Sequence, residues 1–307
     1  MIKNLILVVG SSNTDMTVRL DRLPGSGETV IGGKFATAAG GKGANQAVGA
    51  ARAGGRVAFV GRIGRDALGD AALAVLRREG IDARSVTRDR ASPSGVALIF
   101  VGRNGENSIA VASGANGRLR AEDVARAGPV FRRSAILLVQ LETPLAAVAR
   151  AVDLAARCGV RVILNPAPAQ RLPNRLLRGV SILTPNQHEA ETLTGIKVKN
   201  GRDAAAAAEA LLGRGVESVV ITRGARGAFV ATAGLRRSVP GFRVKAIDAT
   251  AAGDIFNGAL AVALAEGRDL LGAVRFAQAA AAISVTRLGA QSSAPTRAQI
   301  DRLLLRN

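Results

Sequence analysis

Short apolar runs alternate with longer amphipathic segments along most of the chain. The short runs are typical of buried strands, whereas apolar residues spaced three and four positions apart predict helices. The predicted strands are residues 5–9, 57–60, 135–141, 160–164, 181–184 and 219–222. The predicted helices are residues 43–53, 67–79, 122–127, 145–157, 186–194, 204–212, 253–265, 270–285 and 296–305. This order predicts an α/β fold with a mainly parallel central sheet and helices on both faces.

Two early regions, about residues 11–40 and 95–112, interrupt this alternation. Residues 30–39 form an extended segment after a turn rich in Pro and Gly, and residues 96–101 and 108–112 flank an Asn-Gly pair that is typical of a hairpin. We expect these segments to form a small antiparallel sheet that projects from the main domain. Since the chain has no low-complexity linker and no fixed-period repeat, residues 1–307 are predicted to form a single domain.

Composition narrows the compartment and the core. The 307 residues are 48% hydrophobic but only 3% aromatic, so the core must consist of Ala, Val, Leu and Ile. No apolar stretch approaches the roughly 18 residues of a membrane span, and the first residues lack the features of a signal peptide. Cys158 is the single cysteine, which rules out an intrachain disulfide and fits a reducing compartment. We expect a cytoplasmic protein that does not bind membranes.

The formal net charge of +19 raises the alternative of a nucleic-acid-binding protein. However, the arginines are spread over most of the predicted helices, and no aromatic stacking residues are interleaved with them. Solvated helix faces explain this charge, and specific nucleic-acid binding is not expected.

The segment 248–254, Asp-Ala-Thr-Ala-Ala-Gly-Asp, is the strongest chemical signal. Small residues let the backbone approach a ligand closely, and the free N–H groups at a helix start favour an anion such as phosphate. Asp254 at this point suits the acceptor of a hydroxyl proton beside a transferring phosphoryl group. The alternative is an Asp that merely complements the helix dipole.

Two other polar segments follow predicted strands. Residues 40–46, Gly-Gly-Lys-Gly-Ala-Asn-Gln, lack P-loop spacing and either present Lys42 and Asn45 to a polar ligand or form an ordinary helix entry. Asn13 and Asp15 lie two positions apart, so they share one strand face. They either bind adjacent hydroxyls or serve a turn.

Two later segments also have two interpretations. Asn186 and Glu189 have capping-box spacing, but such a pair could also organise Mg²⁺ water and phosphate oxygens. Residues 222–227 form either a plain hairpin or a cover over a nucleotide. His188, the only histidine, cannot build a zinc site with one cysteine.

Together these segments resemble the ribokinase family of sugar kinases, in order and spacing, over the full length. The matching segments are residues 10–15, 40–46, 95–100, 140–142, 165–169, 184–189, 240–244 and 248–254. The resemblance implies ATP-dependent phosphorylation of D-ribose at its primary 5-hydroxyl, with Mg²⁺ and K⁺ as cofactors. It also implies a β lid, formed by about residues 11–40 and 95–112, that closes over the sugar and clasps the lid of a second subunit in a homodimer.

The resemblance also implies roles for individual residues. Asp254 would be the catalytic base, and Ala252 and Gly253 would form the anion hole. The implied sugar ligands are Asn13, Asp15, Gly41, Lys42, Asn45, Glu142 and Asp254. The implied nucleotide-site residues are Asn186, Thr222, Arg223, Gly224, Ala225, Arg226, Gly227, Gly253 and Gln278. Glu189 would support Mg²⁺, and the implied ligands of K⁺ are Asp248, Thr250, Ser284, Arg287, Gly289 and Ser293.

Several alternatives stay open at this point. Ala249 stands where the family usually has Thr, and Gln278 where it often has His. Fructose, deoxyribose and adenosine are rival substrates, although the scarcity of aromatic residues disfavours a nucleoside base. A sugar-binding regulator without catalysis is a further alternative, which the presence of Asp254 disfavours.

Overall fold

The computed structural model describes residues 4–306, which contain thirteen strands and eleven α-helices. The strands are β1 Leu5–Val9, β2 Asn13–Arg19, β3 Lys34–Gly40, β4 Arg56–Gly64, β5 Asp82–Asp89, β6 Gly95–Val101, β7 Asn107–Ala112, β8 Ser134–Val139, β9 Arg161–Leu164, β10 Ile182–Leu183, β11 Ser218–Thr222, β12 Ala228–Thr232 and β13 Arg236–Val239. The helices are α1 Lys42–Arg52, α2 Ala67–Arg78, α3 Ala121–Arg126, α4 Gly128–Arg133, α5 Leu145–Arg157, α6 Asn174–Leu177, α7 Gln187–Thr194, α8 Gly201–Leu212, α9 Ala252–Ala265, α10 Leu270–Ser284 and α11 Arg297–Leu305.

Nine strands form the large sheet, in the order β13-β12-β11-β10-β9-β8-β1-β4-β5. Every neighbouring pair from β11 to β5 is parallel, and only the β11–β12 and β12–β13 pairs are antiparallel. The predicted mainly parallel α/β fold is therefore confirmed.

Alternate residues of β1 face two separate apolar layers. Ile6 and Val8 belong to the layer that includes α1, α9 and α10, whereas Leu7 and Val9 belong to the layer that includes α5 and α8. Because successive side chains of a strand point to opposite faces, a strand buried on both sides is apolar at every position. This explains the continuous apolar run of residues 5–9 and places helices on both faces of the sheet.

The second sheet has four strands, in the order β3-β2-β6-β7. Its outer pairs are antiparallel, as predicted, but the central β2–β6 pair is parallel. The hairpin predicted at Asn104-Gly105 is confirmed, with Gly105 at a positive φ of 83°. Apolar side chains are exposed on both faces of this small sheet. Phe35 and Leu98 lie on one face and Ile109 and Val111 on the other.

The apolar pattern does not predict the sheet edges. The edge strand β13 reads Arg-Arg-Ser-Val and β5 reads Asp-Ala-Arg-Ser-Val-Thr-Arg-Asp, so neither has a buried apolar run. An edge strand has neighbours on one side only, and charged side chains there discourage pairing with other chains. Within residues 4–306, none of the helices is both long and apolar enough to cross a bilayer.

Candidate active site

Close packing of two helices forms the centre of the site. A Cβ on Gly258 of α9 would lie 2.5 Å from the Gln46 carbonyl oxygen of α1, and a Cβ on Gly49 would lie 3.1 Å from Ile255. Glycine at these positions lets the two backbones approach. As a result, the first turn of α1 lies beside the first turn of α9.

The Asp254 carboxylate lies where these two helices meet, and it is 5% exposed. Asn45 Nδ2 donates to its Oδ2 at 3.1 Å, and Gln46 Nε2 donates to its Oδ1 at 3.1 Å. Burial raises the pKa of Asp254, and the Lys42 ammonium and the two amides act in the opposite direction. The amides hold the carboxylate in one orientation and leave its remaining lone pairs for a ligand.

A chain of buried amides extends from Asp254 through the core. Gln46 accepts a 2.6 Å bond from Gln140 and also donates to Asn165 Oδ1 at 3.1 Å. The chain closes on α9, because Thr184 bonds to Asn257, which donates to the Gly253 carbonyl oxygen at 2.8 Å. Apart from its motif membership, nothing in the sequence distinguished Gln46, and its contact with Asp254 depends on helix packing.

The negative charges of four carboxylates act on Lys42. Burial lowers the pKa of Lys42, but Asp254, Glu142, Glu189 and Asp15 outweigh it and raise the pKa overall. Glu142 is fixed by the Ser11 hydroxyl at 2.5 Å and by the Lys42 backbone N–H at 2.9 Å.

Asp15 lies close to this group of charges. Burial, together with the negative charges of Glu142 and Asp254, raises its pKa from 3.8 to about 6. A Cβ on Gly40 would lie 2.2 Å from the Asp15 carboxylate, so the glycine leaves room for this side chain. Gly41, the N-cap residue of α1, has a φ of 86° and likewise lies too close to the Asn13 backbone for any Cβ.

Two adjacent cavities open at this centre. The Asp254 cavity, about 210 Å³, is lined by Lys42, Asn165, Ala167, Thr184, Asn186, Glu189, Thr222, Ala249, Ala251, Ala252, Gly253, Asp254 and Asn257. The Asn13 cavity, about 470 Å³, is lined by Asn13, Val111, Ser113, Asn116, Gly117, Leu141, Glu142, Thr143, Pro144, Leu145, Pro168 and Gln170. Lys42 lines the Asp254 cavity and Glu142 lines the Asn13 cavity. The hydrogen bond from the Lys42 backbone N–H to the Glu142 carboxylate therefore connects the two cavity walls.

The start of α9 lacks a side-chain cap. Ala251 occupies the N-cap position at a φ of 58°, the only positive φ of a non-glycine residue within residues 4–306. The first N–H groups of a helix have no intrahelical partner. Ala252 N–H donates to the Ala249 carbonyl oxygen at 3.2 Å and the residue is half-buried, whereas Gly253 is exposed. Of the two expected anion-hole residues, Gly253 is therefore the more accessible.

Asn186 and Glu189 form a reciprocal capping box at the start of α7. Glu189 N–H donates to Asn186 Oδ1 and Asn186 N–H donates to Glu189 Oε2, each at 2.8 Å. The pKa of Glu189 is raised, first by burial. Both residues also line the Asp254 cavity. The capping interpretation is thus confirmed, and the two side chains that form the cap also lie on the wall of this cavity.

The segment Thr222–Gly227 forms the turn between the antiparallel strands β11 and β12, so the hairpin interpretation is confirmed. Thr222 reaches the Asp254 cavity. Arg226 is engaged elsewhere, since it donates to the Lys199 carbonyl oxygen and to Gln187. Gln278 is buried on α10 and donates to the Val239 carbonyl oxygen, and its Oε1 has no hydrogen-bond partner among residues 4–306.

The expected cation ligands come from two segments that the structure brings together. Asp248 accepts bonds of 2.9 Å from the backbone N–H groups of Thr250 and Gly289. The hydroxyls of Ser284 and Ser293 donate to carbonyl oxygens at 2.8 and 2.7 Å. The backbone N–H of Arg287 donates to the Ser284 carbonyl oxygen. Of the six expected ligands, only Asp248 carries a carboxylate.

Comparison with known sequences and structures shows which proteins this chain is similar to. Residues 3–297 match the pfkB family of carbohydrate kinases. The chain is 46% identical over 295 residues to a ribokinase of Haemophilus influenzae, covering 96% of each chain. It is 37% identical to a deoxyribokinase of Salmonella typhi, covering 98% of this chain and 99% of that one. The structure of an Arabidopsis thaliana ribokinase complexed with ribose and ATP superposes with a TM-score of 0.91 at 33% identity, covering 99% of each chain.

The protein thus belongs to the pfkB family of carbohydrate kinases. Within that family it is an enzyme of the ribokinase type, as the motifs predict.

Proposed function

We propose that this kinase transfers the terminal phosphoryl group of ATP to the primary 5-hydroxyl of D-ribose. The observation that carries the proposal is the position of Asp254. It is buried at the uncapped start of α9 and held by two amides of α1, and it lines the cavity that adjoins the Asn13 cavity. The ribokinases among its relatives support ribose as the sugar.

Asp254 would orient the sugar hydroxyl and accept its proton. A carboxylate has an unperturbed pKa of about 3.9, so it is a weak base, and proton transfer comes late, as the oxygen–phosphorus bond forms. Burial strengthens the base by raising its pKa. Asn45 and Gln46 prevent the carboxylate from rotating away from the reacting oxygen.

Electrostatic stabilisation of the transferring group would come from the start of α9 and from Lys42. The Gly253 N–H would bind the anionic phosphoryl group at the positive end of the helix dipole. The Ala252 N–H would join it after its hydrogen bond to the Ala249 carbonyl oxygen breaks. Lys42 lines the same cavity, and its ammonium group would contact the phosphoryl oxygens. The open hairpin turn that begins at Thr222 and the buried Gln278 would contact the nucleotide.

The donor sets fit the expected cations. Four carboxylates and the single ammonium of Lys42 leave an excess of negative charge near the cavity that the phosphates would occupy. Glu189, on the wall of the Asp254 cavity, is the carboxylate suited to Mg²⁺, which usually keeps several waters and binds one or two carboxylates plus substrate phosphates. Bound Mg²⁺ would neutralise phosphate charge. The oxygen set around Asp248 suits K⁺, because one carboxylate among carbonyls offers little excess charge.

The small sheet would act as the lid in this proposal. Val111 of β7 already lines the Asn13 cavity, and it lies on the same sheet face as Asp15. Exposed apolar side chains on both faces, including Phe35 at 65% and Ile109 at 55%, favour a homodimer in which two such sheets pack together. The single cysteine supports the cytoplasm as the location of this kinase.

A coupled assay of ADP release across ribose, deoxyribose, fructose and adenosine tests the substrate. We expect the highest kcat/KM with ribose. Deoxyribose is the second candidate, because a deoxyribokinase is among the relatives. Activity on adenosine without activity on ribose would refute the proposal.

A further inference from the structure

Asn116 lies where the small sheet joins the main body of the protein. It belongs to the short 3₁₀ turn Gly114–Arg118 and is 2% exposed. Its side chain contacts the chain segment between β1 and β2, and it reaches the wall of the Asn13 cavity. No motif in the sequence identifies this residue as part of a site.

Three hydrogen bonds tie Asn116 to residues 12 and 13. Ser12 N–H donates to Asn116 Oδ1 at 2.9 Å, and Asn116 Nδ2 donates to the Ser12 carbonyl oxygen at 3.1 Å. Asn116 Nδ2 also donates to Asn13 Oδ1 at 2.7 Å. All of these groups are buried, so an unmatched donor or acceptor here destabilises the folded protein.

The directions of these bonds determine which way both amides face. The Ser12 N–H can only donate, so the atom opposite it must be the oxygen of Asn116. The NH₂ group of Asn116 must then face Asn13, and Asn13 accepts this hydrogen bond through its side-chain oxygen. The NH₂ group of Asn13 is therefore the part of the amide that can donate to a ligand in the Asn13 cavity. Within residues 4–306, no hydrogen bond is donated by Asn13 Nδ2.

Gly95 makes this arrangement possible. It pairs with Asn13 across the parallel β2–β6 ladder. A Cβ at position 95 would lie 2.2 Å from both Asn116 Nδ2 and Asn13 Oδ1. Only glycine lets the two amides meet at this junction, and the pair fills the space that the absent side chain leaves.

We propose that Asn116 is a positioning residue that makes Asn13 an obligatory hydrogen-bond donor to the sugar. The inference rests on the proposed function, in which the sugar occupies the Asn13 cavity. The neighbouring Asp15 and Glu142 accept hydrogen bonds when ionised. The site therefore demands an acceptor oxygen at one ring position, beside hydroxyls that donate to the carboxylates.

The test reverses the Asn13 amide and probes it with fluorinated sugars. In Asn116→Asp the carboxylate still accepts from Ser12 but cannot donate, so the Asn13 amide turns its NH₂ inward and presents its oxygen to the sugar. A C–F group can accept a weak hydrogen bond but never donates one. We compare the kcat/KM of each ribose analogue in which fluorine replaces one ring hydroxyl, and which keeps the 5-hydroxyl, with that of ribose in both enzymes. At one ring position, the fluoro-to-hydroxyl ratio should fall about fivefold or more in the variant, as expected for one hydrogen bond.

Asn116→Ala serves as the second variant, because Asn116→Asp buries a new charge. It frees the Asn13 amide to rotate, and the same ratio should fall in the same direction by a smaller factor. Asn104→Asp is the control, since it adds the same charge to the exposed β6–β7 turn of the same sheet. The control should keep the wild-type ratio, and all folded variants should keep the wild-type KM for ATP.

Two outcomes distinguish failure of this inference from failure of the proposed function. If the wild-type enzyme phosphorylates ribose and the fluoro-to-hydroxyl ratio is unchanged at every ring position in the folded Asn116 variants, Asn116 does not orient Asn13. If the wild-type enzyme phosphorylates no pentose, the proposed function itself is wrong. A uniform loss of activity on ribose and all its fluoro analogues would show a merely structural role and overturn the inference.

Discussion

Asn45 donates a 3.1 Å hydrogen bond to the carboxylate of Asp254, although 209 positions separate the two residues. The bond joins the first turn of α1 to the first turn of α9. An amide donor supports a buried carboxylate without supplying a compensating charge, so Asp254 keeps a raised pKa while its orientation is held. The reactivity of this group therefore depends on how closely two helices pack.

Replacing Asp254 by Asn should abolish most turnover while leaving sugar binding nearly intact. The amide keeps the shape of the carboxylate but cannot accept the hydroxyl proton, and general base catalysis typically contributes about 10²–10⁴-fold. We expect kcat to fall by about that factor, with a ribose Kd within about threefold of wild type by calorimetry. Asp153→Asn, on the exposed face of α5, is the matched control. A wild-type kcat in Asp254→Asn would remove Asp254 as the base.

Replacing Gln46 by Leu should shift the pH dependence of the reaction. The Gln46 amide lowers the pKa of Asp254, so its loss raises that pKa further. Since the base acts as a carboxylate, the acid limb of the kcat profile should move to higher pH. Gln46 lines neither cavity, so the KM for ATP should not change. An unshifted acid limb would show that Gln46 has only a packing role.

Asp15 should destabilise the unliganded protein at neutral pH. Its pKa is about 6 in the folded state and 3.8 as an unperturbed group, so the folded state binds more protons between these values. Stability then falls as pH rises from about 4 to 6. We expect Asp15→Asn to raise the Tm at pH 7.5, and this gain to shrink at pH 4. A gain that does not depend on pH would contradict the assignment.

Charges placed on the small sheet should separate the proposed dimer. Phe35 and Ile109 lie exposed on opposite faces of this sheet. We expect the double variant Phe35→Glu/Ile109→Glu to sediment as a monomer at concentrations where the wild type is a dimer. Leu305→Glu, a change at an exposed apolar residue of α11, serves as the control. A wild type that sediments as a monomer would refute the dimer.

Potassium should activate the enzyme more than sodium does. The oxygen donors around Asp248 suit a large monovalent cation, and this loop leads directly into the start of α9. Initial rates in potassium should exceed those in sodium or choline several-fold, and Asp248→Asn should remove the difference. Equal wild-type rates in all three salts would refute the cation site.

The sequence by itself determined the class of fold and indicated the segments in which we propose the site lies. Apolar runs report burial on both faces of a strand, which predicts the parallel sheet around β1. The glycines and polar residues of segments 40–46 and 248–254 mark the places where the backbone must approach a ligand. These features are local, so they can be recognised along the chain.

Only the tertiary structure decided which side chains meet. Gln46 contacts Asp254, and Asn116 contacts Asn13, because packed helices and paired strands bring distant segments together. The periodicity that reveals burial contains no information about hydrogen-bond direction. The orientation of a buried amide depends on its partners in space, and those partners are more than 100 positions away along the chain.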